Sequence, residues 1–167
     1  MSRDLRNRLA ASSYGLQFPA ELHPSEGGGK VDLYVQTGTG GADPEAKPFR
    51  RRIDLWGLGL GVALAKDLAP YDGDMRKFVD TRAVEVSEEL ASLVFVAAVF
   101  RLGAENPELE MTSNVVSLCN QLAASGTFEI VNWIEKDSLT TTKMTSVLRH
   151  VSELRRTVAE HSVGFAI

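Results

Sequence analysis

The segment from residue 88 to residue 102 constrains the fold most, because it is apolar on almost every side of the helix that it predicts. Ser87 is a suitable N-cap, Glu88 and Glu89 favour the first turn, and Gly103 follows the end of the apolar run. A helix that is apolar all round is not stable on a hydrated surface. The segment therefore predicts a helix at the centre of a core or in an interface between subunits.

Length and composition predict an ordinary globular protein. The chain has 167 residues, of which 44% are hydrophobic and 24% are charged, and a chain of this size buries about 70% of its unfolded surface. Its longest apolar runs, residues 55–65 and 90–100, have 11 residues each, whereas a membrane-spanning helix needs about 20. The single cysteine, Cys119, cannot form an internal disulfide and is predicted to be a buried, inert thiol. We expect a cytoplasmic protein with no secretion leader and no membrane span.

Apolar periodicity predicts most of the secondary structure. Residues 53–66 are compatible with a helix or a strand, but a run of 14 residues exceeds most strands and favours the helix. Its three interior glycines weaken that prediction, since each costs a helix about 1 kcal/mol relative to alanine. The remaining patterns predict helices at 2–12, 107–124 and 139–162, one or two helical turns at 127–136, a strand at 30–36 and a short strand at 78–79.

These elements predict an α+β fold that is predominantly α-helical. We expect four to five helices, with one or two short strands in the N-terminal third of the chain. Residues 13–30 contain Pro19, Pro24 and three consecutive glycines, which are typical of an extended arm. The predicted organisation is an N-terminal helix and arm over residues 1–30, followed by a single compact, mainly helical domain over residues 31–167.

Two glycine-rich runs do not meet the requirements of a nucleotide-binding loop. Residues 37–41 are followed by Ala-Asp-Pro and not by the Lys-Ser/Thr of a P-loop. In residues 57–61 the third glycine comes too early for a dinucleotide fingerprint. His150 and His161 are eleven residues apart on one predicted helix, about 16 Å along its axis, which is too far to share a metal ion. We therefore predict no catalytic residue, no bound metal and no cofactor.

Small residues recur at intervals of four in the predicted helix at 53–66. Gly57, Gly61 and Ala65 form one stripe of that helix, beside an apolar stripe that includes Trp56 and Leu60. Small side chains allow another backbone to approach closely. We interpret Gly57, Gly61 and Ala65 as a packing seam.

A cluster of basic residues precedes the same helix. An aromatic residue beside consecutive arginines can stack on a base while the arginines bind phosphates, and three arginines of the last helix could extend such a face. The candidate interaction or nucleic-acid-binding residues are Lys47, Phe49, Arg50, Arg51, Arg52, Arg149, Arg155 and Arg156.

The charge distribution favours a different use for these arginines. Residues 1–52 contain eight Lys/Arg and six Asp/Glu, whereas residues 53–137 contain six and fourteen, and residues 138–167 contain four and two. The acidic middle could pair with the arginines, within the chain or across a subunit contact. The acidic residues considered for this pairing are Asp54, Asp72, Asp74 and Asp80.

The sequence favours a non-enzymatic interaction protein. We expect a small adaptor subunit that associates with itself or joins a larger protein complex, because apolar helices are present and a catalytic set is absent. The alternative is an accessory protein that binds DNA or RNA through Arg50–Arg52. Salt-dependent retention on nucleic acid would separate the two hypotheses, since phosphate contacts weaken steeply with ionic strength.

Overall fold

In a computed structural model, residues 7–9, 14–23, 29–36, 43–81 and 87–163 are described. Within these ranges the chain forms four α-helices with described bounds, a helical stretch at residues 7–9 and one antiparallel pair of strands, so the α+β, predominantly α-helical class predicted from the sequence is confirmed. Short 3-10 helices occupy Lys30–Leu33 and Pro107–Glu110. The strands are β1 (Gly15–Pro19) and β2 (Met75–Asp80), and the helices are α1 (Arg52–Ala65), α2 (Glu88–Leu102), α3 (Thr112–Asp137) and α4 (Lys143–Val163).

Helix α3 is the central element of the fold. Its 26 residues include buried apolar side chains along its whole length, from Val115 through Leu122 to Ile134. The other three helices and β1 all pack against it. Helix α2 has buried residues on one side only. The helix at the centre of the core is therefore α3, and not the all-apolar segment 88–102 for which the sequence predicted a central or an interface position.

Helices α1 and α3 cross where two glycines meet. A Cβ atom on Gly126 would overlap the carbonyl oxygen of Gly59, and a Cβ atom on Gly59 would lie 2.6 Å from the carbonyl oxygen of Ala123. Thr127 is fully buried at the same crossing. The two backbones are therefore in direct contact, and only glycine fits at either position.

Asn120 connects three elements from one buried position on α3. Its side-chain oxygen accepts hydrogen bonds from the Gln17 backbone N–H and the Trp56 indole N–H, each at 3.1 Å. Its amide nitrogen donates to the Gly15 carbonyl at 2.9 Å. Asn120 thereby satisfies backbone groups of β1 that β2 does not reach, and it holds β1 and α1 against α3.

The predicted end of a helix at residue 124, just before Gly126, is wrong. Helix α3 continues through Gly126 to Asp137 and absorbs the separate turns predicted at 127–136, whereas the predicted start near Pro107 is only a 3-10 helix. A glycine costs a helix about 1 kcal/mol. Close packing against Gly59 gives this glycine a tertiary role that outweighs the local penalty.

The predicted strand at residues 30–36 is also wrong. Lys30–Leu33 is a 3-10 helix, and the Tyr34 and Val35 amides both donate to the Val31 carbonyl. Within the described residues, the sole β-bridge between residues 30–36 and another segment joins Val35 to Phe49. Without a neighbouring strand the alternating pattern has no ladder to join. Leu33, which a strand would place on the same face as the buried Val31 and Val35, is 53% exposed.

The N-terminal segment predicted as an arm contributes to the core. Residues 15–19 form β1, and Phe18 is fully buried and stacks on Phe78 of β2 with 4.4 Å between ring centroids. Strand β2 contains the short strand predicted at 78–79 but lies outside the N-terminal third. Of the helix predicted at 2–12, residues 7–9 are described, and they are helical. The predicted arm lies partly outside the described residues, and the domain boundary at residue 30 stays a prediction.

We expect Gly126→Ala to lower the free energy of unfolding by about 3 kcal/mol, because the new methyl group forces α1 away from α3. Gly61→Ala is the matched control, since a Cβ atom there meets nothing within 4 Å inside the chain. It should leave stability unchanged or raise it by up to about 1 kcal/mol through helix propensity. Urea unfolding measures both changes, and equal stabilities of the two variants would contradict the close crossing.

Candidate interaction surface

Helices α1 and α2 lie side by side and run in the same direction. Near their N-terminal ends, a Cβ atom on Gly57 would lie 3.2 Å from the Leu90 side chain. Beyond the other end of α1, the Arg101 guanidinium of α2 donates to the Asp67 carboxylate at 2.8 Å and to the Leu68 carbonyl at 2.6 Å. Because the two helices are in contact near both of their ends, their exposed sides form one continuous surface, the α1–α2 surface.

A groove separates the N-terminal halves of these helices. Its apolar wall includes Leu58 of α1 together with Leu90 and Leu93 of α2. Its end is polar, with Arg51 and Asp54 at the start of α1 and with the N-cap of α2. Gly57 of α1 also lines this groove.

The same surface exposes large apolar side chains. Leu93, Val96 and Phe100 are spaced three and four residues apart and so share one face of α2. Val96 is 55% exposed and Phe100 is 62% exposed. The sequence did not single out these two residues, because in an all-apolar segment the periodicity does not show which side remains exposed.

The predicted packing seam lies on this surface and not between helices of the core. Gly57 faces Leu90, Gly61 is half-buried with open space where its Cβ would be, and Ala65 is exposed. The close contact inside the chain is made by Gly59 instead. As a contact between subunits, the seam of Gly57, Gly61 and Ala65 stays a prediction.

Two of the three consecutive arginines are paired inside the chain. The Arg51 guanidinium donates to the Asp54 carboxylate at 2.7 Å, and the Arg51 backbone N–H donates to the same carboxylate at 2.9 Å. This pair closes the first turn of α1 in the way a capping box does. The Arg52 guanidinium donates to the Asp32 carboxylate at 2.9 Å. The pairing with Asp54 was one of those considered from the sequence, whereas the pairing with Asp32 was not.

Phe49 cannot stack on a base as the sequence suggested. It is 6% exposed and belongs to the hydrophobic core, where its backbone bridges to Val35. Lys47 is half-buried and Arg50 is exposed. An aromatic residue next to basic residues was equally compatible with a core position, and the bridge to Val35 explains why Phe49 is buried.

The extension of the Arg50–Arg52 cluster by the arginines of α4 stays a prediction. The segment before that cluster meets the start of α4, where the Lys143 backbone N–H donates to the Glu45 carbonyl at 3.1 Å. Arg155 lies twelve residues further along the helix, about 18 Å at the helical rise. Arg149 pairs with Asp137, and Arg156 pairs with Glu160 at 3.8 Å.

Asp137, at the C-terminal end of α3, is the centre of a polar cluster that the sequence did not reveal. One of its carboxylate oxygens accepts hydrogen bonds from the Ser146 hydroxyl, at 2.8 Å, and from the Arg149 guanidinium. The same oxygen lies 3.0 Å from His150 Nε2. The His150 ring stacks on Trp133 with 4.9 Å between centroids. The hydrogen bond from Ser146, followed by those from Arg149 and His150, lowers the pKa of Asp137.

The hydrogen bonds of this cluster have a structural arrangement and not that of a catalytic triad. In a nucleophilic triad the histidine bonds to the serine and takes its proton. Here Ser146 and His150 both bond to Asp137, so His150 is not placed as a base for Ser146. The cluster instead joins the end of α3 to the first turns of α4.

The remaining candidate for chemistry, Cys119, is fully buried, and burial raises the pKa of its thiol to about 12. Its thiol lies against the Val94 carbonyl at 3.7 Å. Among the residues that the structure describes, no group of three or more His, Cys, Asp or Glu side chains could hold a metal ion. No described helix has the length and hydropathy needed to cross a membrane.

Comparison with known proteins adds no relative. No protein-family model matches the chain, no curated protein matches it, and no solved structure matches its fold.

We expect Asp137→Asn to destabilise the protein in a pH-dependent way. Because the pKa of Asp137 is lowered from 3.8 in the folded protein, its charge contributes fully to stability above pH 3.8 and loses that contribution as pH falls through the folded value. The variant should therefore melt at a lower temperature than wild type at neutral pH, and the gap should narrow below pH 3.8.

Asp72→Asn is the matched control, since Asp72 is exposed. Its melting temperature should follow that of the wild type at each pH. A gap for Asp137→Asn that stays constant through the acid range would show that the carboxylate charge is not the stabilising feature.

Proposed function

We propose that this protein is a non-enzymatic interaction subunit that assembles through the surface formed by α1 and α2. The observation that supports this best is the exposure of Val96 and Phe100 beside the apolar groove that contains Gly57 and Leu93. Soluble proteins rarely expose large contiguous apolar patches, and such patches commonly mark sites of interaction with other proteins. We further propose that the partner is a second copy or a larger protein, and that the protein acts in the cytoplasm.

Phe100 has the properties of an interface anchor. Aromatic side chains are enriched at the centres of protein interfaces, where they contribute a large part of the binding energy. The ring lies beside the Arg101 guanidinium, 5.5 Å from its centroid, and Arg101 is in turn held by Asp67. A partner would therefore meet an aromatic ring on a restrained helix end, which lowers the entropy cost of association.

A nucleic-acid-binding function is the alternative, and the ion pairs argue against it. Asp54 and Asp32 already neutralise Arg51 and Arg52, so binding a phosphate would require breaking a pair. Arg50 is the exposed arginine that would remain for this role. A chain with a formal charge of −4 would also be repelled by a polyanion.

We expect Phe100→Glu to abolish assembly while leaving the fold intact, because a carboxylate at the centre of an apolar contact loses its hydration without gaining a partner. Leu139→Glu is the matched control, since Leu139 is 96% exposed in the turn between α3 and α4, outside this surface. Sedimentation measures self-association, and co-purification of the tagged chain from its own cells measures association with other proteins.

Loss of either kind of association in Phe100→Glu, with retention in Leu139→Glu, supports the proposal. Association that is the same in both variants contradicts it. If Arg50, Arg51 and Arg52 are all replaced by alanine and salt-sensitive retention on DNA or RNA disappears while assembly persists, the nucleic-acid alternative replaces it.

A further inference from the structure

We infer that His150 makes the attachment of α4 to α3 sensitive to pH, because carboxylates face both of its ring nitrogens. Protonation of the ring strengthens the attachment, and loss of the proton weakens it. The residues concerned lie on α3 and α4 and not on the α1–α2 surface, so this inference is independent of the proposed function.

The His150 ring lies between two carboxylates. Its Nε2 atom is 3.0 Å from a carboxylate oxygen of Asp137 on α3, and its Nδ1 atom is 3.6 Å from a carboxylate oxygen of Glu153, one turn later on α4. A neutral imidazole has one N–H group and one lone pair, whereas an imidazolium ion has two N–H groups. The charged ring therefore directs an N–H group at each carboxylate, and the neutral ring leaves a lone pair facing a negative oxygen.

Trp133 of α3 also favours the charged ring. The indole and imidazole rings are stacked, with 4.9 Å between their centroids and 17° between their planes. A cation over the face of an indole is attracted to its π electrons. Two charged groups contact the same indole: Glu129 accepts a hydrogen bond from its N–H, and Lys66, the residue after α1, lies over the ring. These two groups form an ion pair with each other, so their charges offset.

Arg149 is the cation that opposes protonation of the ring. Its guanidinium donates to the same oxygen of Asp137 that faces His150. Two carboxylates face the ring against one guanidinium, so the balance of charge favours the protonated form. Because the pKa of Asp137 is lowered, its carboxylate stays ionised throughout the range around about pH 6.5 in which histidine side chains titrate.

Helix α4 depends on this cluster because few of its apolar side chains are buried. Among its described side chains, Val147 is the one buried apolar residue, and Val151 and Leu154 are half-buried. An element with few buried apolar contacts opens at a low cost in free energy. A change in the charge of the ring therefore changes how often α4 opens. The hydrogen bond from Ser146 to Asp137 does not involve the ring, so the neutral form weakens the attachment without removing it.

Hydrogen exchange of the α4 backbone amides tests the inference in the intact protein. Protection factors, which correct for the intrinsic effect of pH on exchange, should rise about threefold as the pH falls from about 8 to about 5.5, because ion pairs at partly exposed positions contribute modestly to stability. The rise should share its midpoint with the titration of the His150 ring, followed by NMR. Protection factors that stay constant or fall over this range would overturn the inference.

Three variants identify the group that is responsible. His150→Gln removes the titrating ring and should abolish the rise. Glu153→Gln removes the second carboxylate and should reduce the rise to less than about twofold, since exposed pairs have small and separable effects. His23→Gln is the matched control and should keep the full rise, because His23 Nε2 faces the backbone carbonyl of Lys77 and not a carboxylate.

The pattern across the variants decides the outcome. Loss of the rise in His150→Gln and its reduction in Glu153→Gln, with retention in His23→Gln, support the inference. The full wild-type rise in either of the first two variants, or its loss in His23→Gln, would overturn it. If His150→Gln does not fold, Glu153→Gln still decides, because the Glu153 side chain is 56% exposed and its replacement leaves the core unchanged. None of these results depends on whether Phe100 mediates assembly.

Discussion

The direct contact between the backbones of Gly59 and Gly126 determines where the other elements lie. It brings α1 so close to α3 that Trp56 reaches Asn120, and Asn120 in turn holds β1 through Gln17 and Gly15. At the far end of α3, Asp137 holds the first turns of α4 through Ser146 and its neighbours. Helix α3 therefore acts as an axis with a close backbone crossing near its middle and a polar attachment at its C-terminal end.

This arrangement leaves α2 at the edge of the fold. Because α1 already occupies the glycine crossing on α3, α2 packs beside both helices through small or medium side chains such as Ala91, Val94 and Ala98. The opposite side of α2 retains Val96 and Phe100, which no described part of the chain covers. An apolar segment that the core cannot enclose completely is the physical basis of the proposed interface.

The ion pairs show how a basic cluster can be misleading in sequence. Arg51 stabilises the first turn of α1 together with Asp54, and Arg52 binds Asp32 from a segment twenty residues earlier. Asp54, three residues after Arg51, can be recognised as its partner from the local sequence. Asp32, which lies in the 3-10 helix Lys30–Leu33, cannot be recognised from the sequence as the partner of Arg52. Consecutive arginines thus resemble a phosphate-binding site until the tertiary structure supplies their carboxylates.

The sequence by itself determined the helical class, the start and end of α2, and the segment of α1, because apolar periodicity, the Ser87 cap and the Gly103 stop act over one helix. The tertiary structure decided which glycines form the contact inside the chain, that Gly126 does not end α3, and that residues 30–33 form a 3-10 helix and not a strand. It also decided which side of α2 stays exposed and which carboxylates hold the arginines. Each of these outcomes depends on a partner distant in sequence, and local propensities of about 1 kcal/mol are smaller than the cost of losing such a contact.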